Sequence, residues 1–426
     1  MSSAIEWTEE TWNPVVGCSF ASEGCRNCYA VGMTHRLGSM ALADIDKGKD
    51  PGKKGDYVAL TVKNSRGVRH FNGQVRTIDS ALSVPLRRKT PTRYFVNSMA
   101  DLFHPKVPFD FIDKVFAVMA LCPQHTFQVL TKRPERMAEY TNELYSGQRS
   151  IGDASDGMWS SMMASRLQVA AAFGVKPGGG VGIRTDHPLK NVWLGTSVED
   201  QATADERIPH LLRCPAAVRW LSCEPLLGAV DITCGLPHYK CDAGEMDAIY
   251  HGERCKTDDC GWRGLEHPDK QRRIETTTPG GIESGLCRCL QAGVDRIYGG
   301  VDWVVAGGES GKGARPMHPD WARSLRDQCQ AAGVPFFFKQ WGHWVPYEQS
   351  AQAPMLIGQD GREVDGHAIP PDCVDQVNQE VGGWMMDDQC DVYRRVYKKA
   401  AGRLLDGVEH NEYPAAEAAS AVGDKG

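Results

Sequence analysis

Six short apolar runs, at 93–97, 127–131, 191–196, 219–222, 301–306 and 334–339, are rich in β-branched and aromatic side chains and bounded by polar turns. Their near-continuous apolarity predicts strands buried on both faces. Between them, helical spacing appears near 109–121, 134–145, 199–213 and 319–332, and one more strand is expected near 12–16. That alternation predicts an α/β chain on a parallel sheet, a full or partial βα barrel of TIM type. Polar groups follow each run, among them Asn97, Ser98 and Asp101, Thr131, Lys132 and Arg133, Ser197 and Glu199, Glu224, Glu309 and Ser310, and Lys339. In such a barrel these positions converge on the carboxyl rim, where active sites are built. Taken singly, the same residue types are ordinary helix caps and turn formers.

Three segments break the rhythm and divide the chain. Residues 145–188 are rich in Ser and Gly and read as an insertion, 233–298 are polar and dense in cysteine and read as a small separate module, and 346–414 form a C-terminal extension. The barrel is therefore expected in 1–232 and 299–345, and residues 415–426 are expected to be a disordered tail. A hydrophobic content of 41% excludes a disordered chain, and a net charge of −6 gives no global attraction to polyphosphate. Any nucleic-acid contact then needs a local basic patch, for which Arg87-Arg88-Lys89 and Lys132-Arg133 are the candidates. The first ten residues lack the blocks of an export signal and no run approaches the ~20 apolar residues of a membrane span, so a cytoplasmic protein with no membrane partner is expected.

In a reducing compartment, 15 cysteines favour metal ligation over disulfides. Cys18, Cys25 and Cys28 share one loop directly after the first expected strand, which places them on the carboxyl rim. Three thiolates from one loop can hold three irons of a cubane and leave the fourth iron open. A zinc knuckle completed by His35, or three buried thiols, are the alternatives. In the polar module, Cys255 and Cys260 have the spacing of a zinc-ribbon knuckle and Cys287 and Cys289 supply the other half, with Cys241 or His238 able to replace one of them. Structural zinc would let a module with so little apolar content fold; a second cluster and unligated thiols are the alternatives.

The three-cysteine loop resembles that of the radical S-adenosylmethionine (SAM) superfamily, with six residues instead of the common three between its first two cysteines. Over a longer span, Trp12-Asn13-Pro14, Asn97-Ser98-Met99-Ala100-Asp101, Leu130-Thr131-Lys132-Arg133, Gly195-Thr196-Ser197-Val198-Glu199, Ser222-Cys223-Glu224-Pro225, Gly307-Gly308-Glu309-Ser310-Gly311 and Phe338-Lys339-Gln340-Trp341-Gly342 are similar to a phage- and prophage-encoded family of radical-SAM-like proteins. The resemblance implies a four-iron four-sulfur cluster on Cys18, Cys25 and Cys28, bound SAM, an external reductant, and a 5′-deoxyadenosyl radical that takes a hydrogen atom from substrate. It makes Asn97, Ser98, Asp101, Thr131, Lys132, Ser197 and Glu199 candidates for cofactor binding, and Glu224, Glu309 and Lys339 candidates for catalysis. The superfamily's Gly-Gly-Glu-like segment follows the second strand, whereas Gly307-Gly308-Glu309 stands at the sixth. The phage association implies DNA or a modified nucleotide as substrate, in host cytoplasm, and an isomerase that moves an amino-acid substituent on thymine from nitrogen to carbon. A photoproduct-lyase-like repair enzyme and a non-catalytic zinc-containing nucleic-acid-binding protein are the rival expectations.

Overall fold

The computed structural model describes residues 5–146, 188–236, 300–311, 313–346 and 401–414, together with short strands between 240 and 285 and between 356 and 395. Seven strands form one sheet: β1 (Glu10–Trp12), β2 (Arg93–Val96), β3 (Thr126–Thr131), β4 (Val192–Ser197), β5 (Val218–Cys223), β6 (Trp303–Gly307) and β7 (Phe336–Gln340). They lie side by side in chain order and every pairing is parallel. Helices α1 (Tyr29–Asp46), α2 (Phe109–Leu121), α3 (Pro134–Tyr145), α4 (Gln201–Leu212) and α5 (Pro319–Ala331) connect them. This is a curled, parallel half-barrel within a mixed α/β fold.

Alternation along the strands explains both faces. Tyr94 and Val96, Val192 and Leu194, Val304 and Ala306, and Phe336 and Phe338 point outward into the core shared with α2 to α5. Phe95, Trp193, Trp220, Trp303, Val305 and Phe337 point inward and form a second cluster. Trp7, just before β1, meets Phe95 at 4.8 Å, Trp220 at 5.1 Å and Trp303 at 6.2 Å between ring centroids. One side chain reaches β2, β5 and β6 together only if the sheet wraps around it. Gly195 makes room inside, because a Cβ there would lie 2.5 Å from the Trp220 ring. Each fully buried large side chain contributes on the order of 2–3 kcal/mol, so this plug fixes the curvature.

The expected strands and the helices at 109–121, 134–145, 199–213 and 319–332 fall within about two residues of the observed elements. The first strand differs. Asn13 and Pro14 split it, so that Glu10–Trp12 joins the sheet while Val15–Val16 pairs antiparallel with Arg76–Thr77. At the other edge, residues 410–412 run along β7: Phe338 N–H donates to the His410 carbonyl at 2.9 Å, and Asn411 bridges Phe337. Within the segment expected to be a separate module, Lys240–Cys241, Gly244–Glu245, Ile274–Thr278 and Gly281–Gly285 form a small antiparallel sheet. The zinc ligands expected there, Cys255, Cys260, Cys287 and Cys289, lie outside the described residues, as do the 147–187 part of the insertion and the tail from 415. No helix among the described residues is long and apolar enough to cross a membrane.

Candidate functional site

The cysteine loop leaves the sheet at Gly17, whose φ of 85° suits glycine and where a Cβ would run into the Gln74 carbonyl. Cys18 follows, Cys25 closes the short turn Glu23–Cys25, and Cys28 immediately precedes α1. The Val31 amide in the first turn of α1 donates to the Cys28 carbonyl at 3.2 Å, and the positive end of the helix favours negative charge at Cys28. Burial pushes the Cys18 thiol up to about 12, with Asp101 adding to the rise and Arg133 opposing it. Burial also pushes the Cys28 thiol up, and the neighbouring Cys25 sulfur adds to the rise at both Cys18 and Cys28.

Three groups of charged residues tie this loop to the rim. In the first, the Asp101 carboxylate accepts from Thr131 Oγ1 at 2.7 Å, Phe103 N at 2.9 Å, Lys132 N at 3.2 Å and Arg133 Nη1 at 2.7 Å. Arg133 Nη2 then donates to the Ser19 carbonyl at 3.2 Å and to its hydroxyl at 3.0 Å. In the second, Glu199 is buried between Lys132 Nζ and Arg207 Nη1, the latter at 2.9 Å, and accepts from Ser22 of the loop at 3.1 Å. Gly24 is required here, since a Cβ would lie 2.6–2.8 Å from the Glu199 side chain. In the third, Arg315 donates to Glu309 through Nε at 3.0 Å, Nη2 at 2.7 Å and its backbone N at 2.8 Å. Asn27 adds 3.0 Å to Glu309, and Arg315 reaches the Glu23 carbonyl at 3.0 Å. Burial alone would raise the Glu309 pKa, but the bonds from Arg315 and Asn27 outweigh it and hold the carboxyl below its ordinary range.

A fourth group stands on the same rim. Lys339 Nζ contacts both Glu224 oxygens at 2.7 Å, and Gln340 Nε2 reaches Glu224 at 3.4 Å and Ser310 Oγ at 3.2 Å. None of its hydrogen bonds runs to the loop residues 17–28 among the described residues. It is nevertheless close to them: Cys28, together with Glu224, helps burial raise the pKa of the Tyr29 phenol. Glu224 requires a donor from Gln340, which fixes the amide orientation and leaves the buried Oε1 without a protein partner. Asn97, with φ of 61°, accepts from Val15 N through Oδ1 while its buried Nδ2 is also unpartnered.

The predicted residues therefore separate by use. Asp101, Thr131, Lys132, Glu199 and Glu309 hold the cysteine loop or each other, Ser197 offers its carbonyl to Arg207 at 2.9 Å, and Ser98 bonds Asn13 at 3.1 Å while receiving the Tyr29 hydroxyl at 2.7 Å. Only Glu224 and Lys339 form the fourth group. Lys132 and Arg133 are committed to ion pairs, and Arg88 pairs with Glu10 at the amino end of the sheet, so neither basic run offers phosphate contacts beside the site. His35 neighbours Ser39, Arg69 and Lys63 and not the thiols, which removes it as a fourth zinc ligand. Arg133 as a loop anchor, Arg207, Arg315 and Asn27 escaped the sequence reading. Arg207 carried a signal, lying four residues from Thr203 on the apolar stripe of α4.

Among the described residues, no three His, Cys, Asp or Glu side chains converge as ligands of a single ion. A cubane asks for something different, one thiolate per iron, and Cys18, Cys25 and Cys28 on one loop supply three, beside Lys132, Arg133 and Arg207, which are each paired with a carboxylate. Burial of protonated thiols is neutral, and a bound metal would displace their protons.

His104 supports the loop from beneath. Its Nδ1 accepts from Lys106 N at 3.2 Å, so the neutral ring donates through Nε2 to Ser19 Oγ at 2.9 Å. Burial, reinforced by Arg133, lowers its pKa to about 4. Below its ordinary value of ~6.5 the unfolded chain takes a proton that the folded chain refuses, so stability falls as pH drops from 6.5 toward 4. The loss is on the order of 3 kcal/mol. Urea midpoints measured across that window should flatten in His104→Gln, and an unchanged slope would remove this group from the account.

The fold and site define a curled parallel α/β half-barrel with a three-cysteine loop strapped to its carboxyl rim. The chain belongs to the DUF5131 family, whose model, described as "Protein of unknown function (DUF5131)", matches residues 2–414. No curated protein and no solved structure matches it.

Proposed function

We propose that the protein is a radical SAM enzyme with a four-iron four-sulfur cluster held by Cys18, Cys25 and Cys28. The observation that carries this reading is a three-thiol loop fastened to the rim by Asp101 with Arg133, Glu199 with Lys132 and Arg207, and Glu309 with Arg315, beside a fourth polar group not bonded to it. When bound, the cluster and SAM supply one-electron cleavage of the sulfonium and a 5′-deoxyadenosyl radical.

The chain's own residues then divide the work. The three anchoring groups hold the loop at fixed height above the barrel mouth, and the tryptophan plug closes the opposite end to water. Glu224 and Lys339 present a neutralised pair, and the unpartnered Gln340 Oε1 and Asn97 Nδ2 offer one acceptor and one donor to SAM or substrate. A buried unsatisfied group costs ~1–3 kcal/mol, which a ligand making those bonds recovers. The substrate we propose is a modified thymine in DNA, isomerised by migration of an amino-acid substituent from nitrogen to carbon; this follows from the family resemblance.

Anaerobically reconstituted protein with dithionite and SAM should release 5′-deoxyadenosine and methionine. Glu224→Gln and Lys339→Met should retain full iron and lose ~10-fold or more of the rate with substrate, in the range of a displaced positioning group. A fully loaded protein that leaves SAM intact would end the proposal. With SAM cleaved but the nitrogen-linked adduct unchanged, only the thymine assignment would fall.

A further inference from the structure

We infer that the basic hairpin beside the cysteine loop is a docking surface for the phosphodiester backbone of a nucleic-acid strand. Between residues 47 and 76, eight lysines and arginines face two aspartates, in a chain whose net charge is −6. The hairpin within it, Thr61–Lys63 with Arg69–Phe71, packs against α1 and carries Lys63, Arg66, Arg69 and His70. Lys54 is spent on Asp44, and Arg76 donates to the Asp56 carbonyl at 2.7 Å. Lys63, Arg66 and Arg69 differ: among the described residues no carboxylate pairs with them, and Arg69 reaches only the Thr61 hydroxyl at 3.3 Å. Unpaired like charges gathered on one exposed edge repel one another, and a polyanion relieves that cost while releasing its counterions.

Position gives the patch its meaning. The root of the hairpin touches the cysteine loop directly, since Gly73 N donates to the Cys18 carbonyl at 3.2 Å, Lys106 Nζ donates to the Gly73 carbonyl at 2.8 Å, and Gln74 packs on Gly17. A strand lying along the hairpin thus delivers its bases to the barrel mouth, and the backbone contacts set its register without reading sequence. This inference names the substrate class for the proposed site, but the contact itself needs neither cluster nor SAM.

The test is fluorescence anisotropy with labelled single-stranded and duplex DNA at several salt concentrations, using the full chain without cluster. Wild type should bind with a salt-dependent affinity. The triple variant Lys63→Glu/Arg66→Glu/Arg69→Glu should lose at least 10-fold in affinity, and its salt slope should fall by about 0.7 per reversed residue on single strands or about 0.9 on duplex. Arg87→Glu/Lys89→Glu, at the amino end of the sheet, should match wild type. Circular dichroism melts separate lost contact from lost folding, and the milder Arg66→Ala should weaken binding about 2-fold or more. No DNA binding by wild type, equal loss in the control variant, or binding only to phosphatidylserine vesicles would each overturn the inference. Because Cys18→Ala/Cys25→Ala/Cys28→Ala should bind DNA like wild type, failure here is distinct from failure of the radical chemistry.

Discussion

Alanine at Cys18, Cys25 or Cys28 is expected to reduce iron loading from about four irons per chain to below one after anaerobic reconstitution. In the proposed cluster each thiolate would serve a separate iron, so losing any one of them should be near total in effect. Cys122→Ala is the matched control: that thiol is buried in the outer core, where burial pushes it up to about 12. It should lose a little stability and no iron. The loop variants should stay folded, because the loop is held by Arg133, Lys132, Arg207 and Arg315 and not by the sulfurs. Iron and sulfide analysis beside a thermal melt makes the distinction, and full loading in all three variants would end the cluster assignment.

Glu199→Ala should be the most damaging single change to the rim. The carboxylate is 1% exposed and faces Lys132 on one oxygen and Arg207 on the other. Arg207 is just as deep, and its Nε already lacks a partner. Deleting the acid leaves Lys132 and Arg207 without their shared carboxylate, which costs ~3–5 kcal/mol for a broken buried pair. Charge, not shape, is the cause, so the apolar double replacement Glu199→Leu/Arg207→Met should recover much of the loss. Urea unfolding of the variants measures this, and a Glu199→Ala stability within 1 kcal/mol of wild type would show that the triad carries little.

The half-barrel was readable because its strands are apolar on both faces and its outer helices carry broad apolar stripes; α2 begins and ends where the pattern placed it. Helix α1 was not read. Its buried positions are Ala30, Thr34, Gly38 and Ala41, small residues that let the helix approach the chain at Tyr57 closely but leave no hydrophobic stripe to detect. The first strand was placed two residues late because Val15 and Val16 are more apolar than Glu10 and Thr11, although the latter pair with β2. At the site, the strand-end acids were found but not their duties. Whether Glu309 meets a ligand or Arg315 depends on where a loop six residues further along folds back, and no local pattern encodes that. Gly307 and Gly308 likewise look like a binding motif, yet a Cβ on Gly308 would run into the Trp341 carbonyl, so the glycine lets β6 and β7 end side by side.

The long reach of the third anchor has a bearing on how the protein is made. Asn27 bonds Glu309, 282 positions downstream. At 5–20 residues per second, the ribosome needs roughly 15–55 s to supply that partner after the cysteines are synthesised. Until then the cysteine segment lacks its third anchor, which is completed only when Glu309 and Arg315 have both been made.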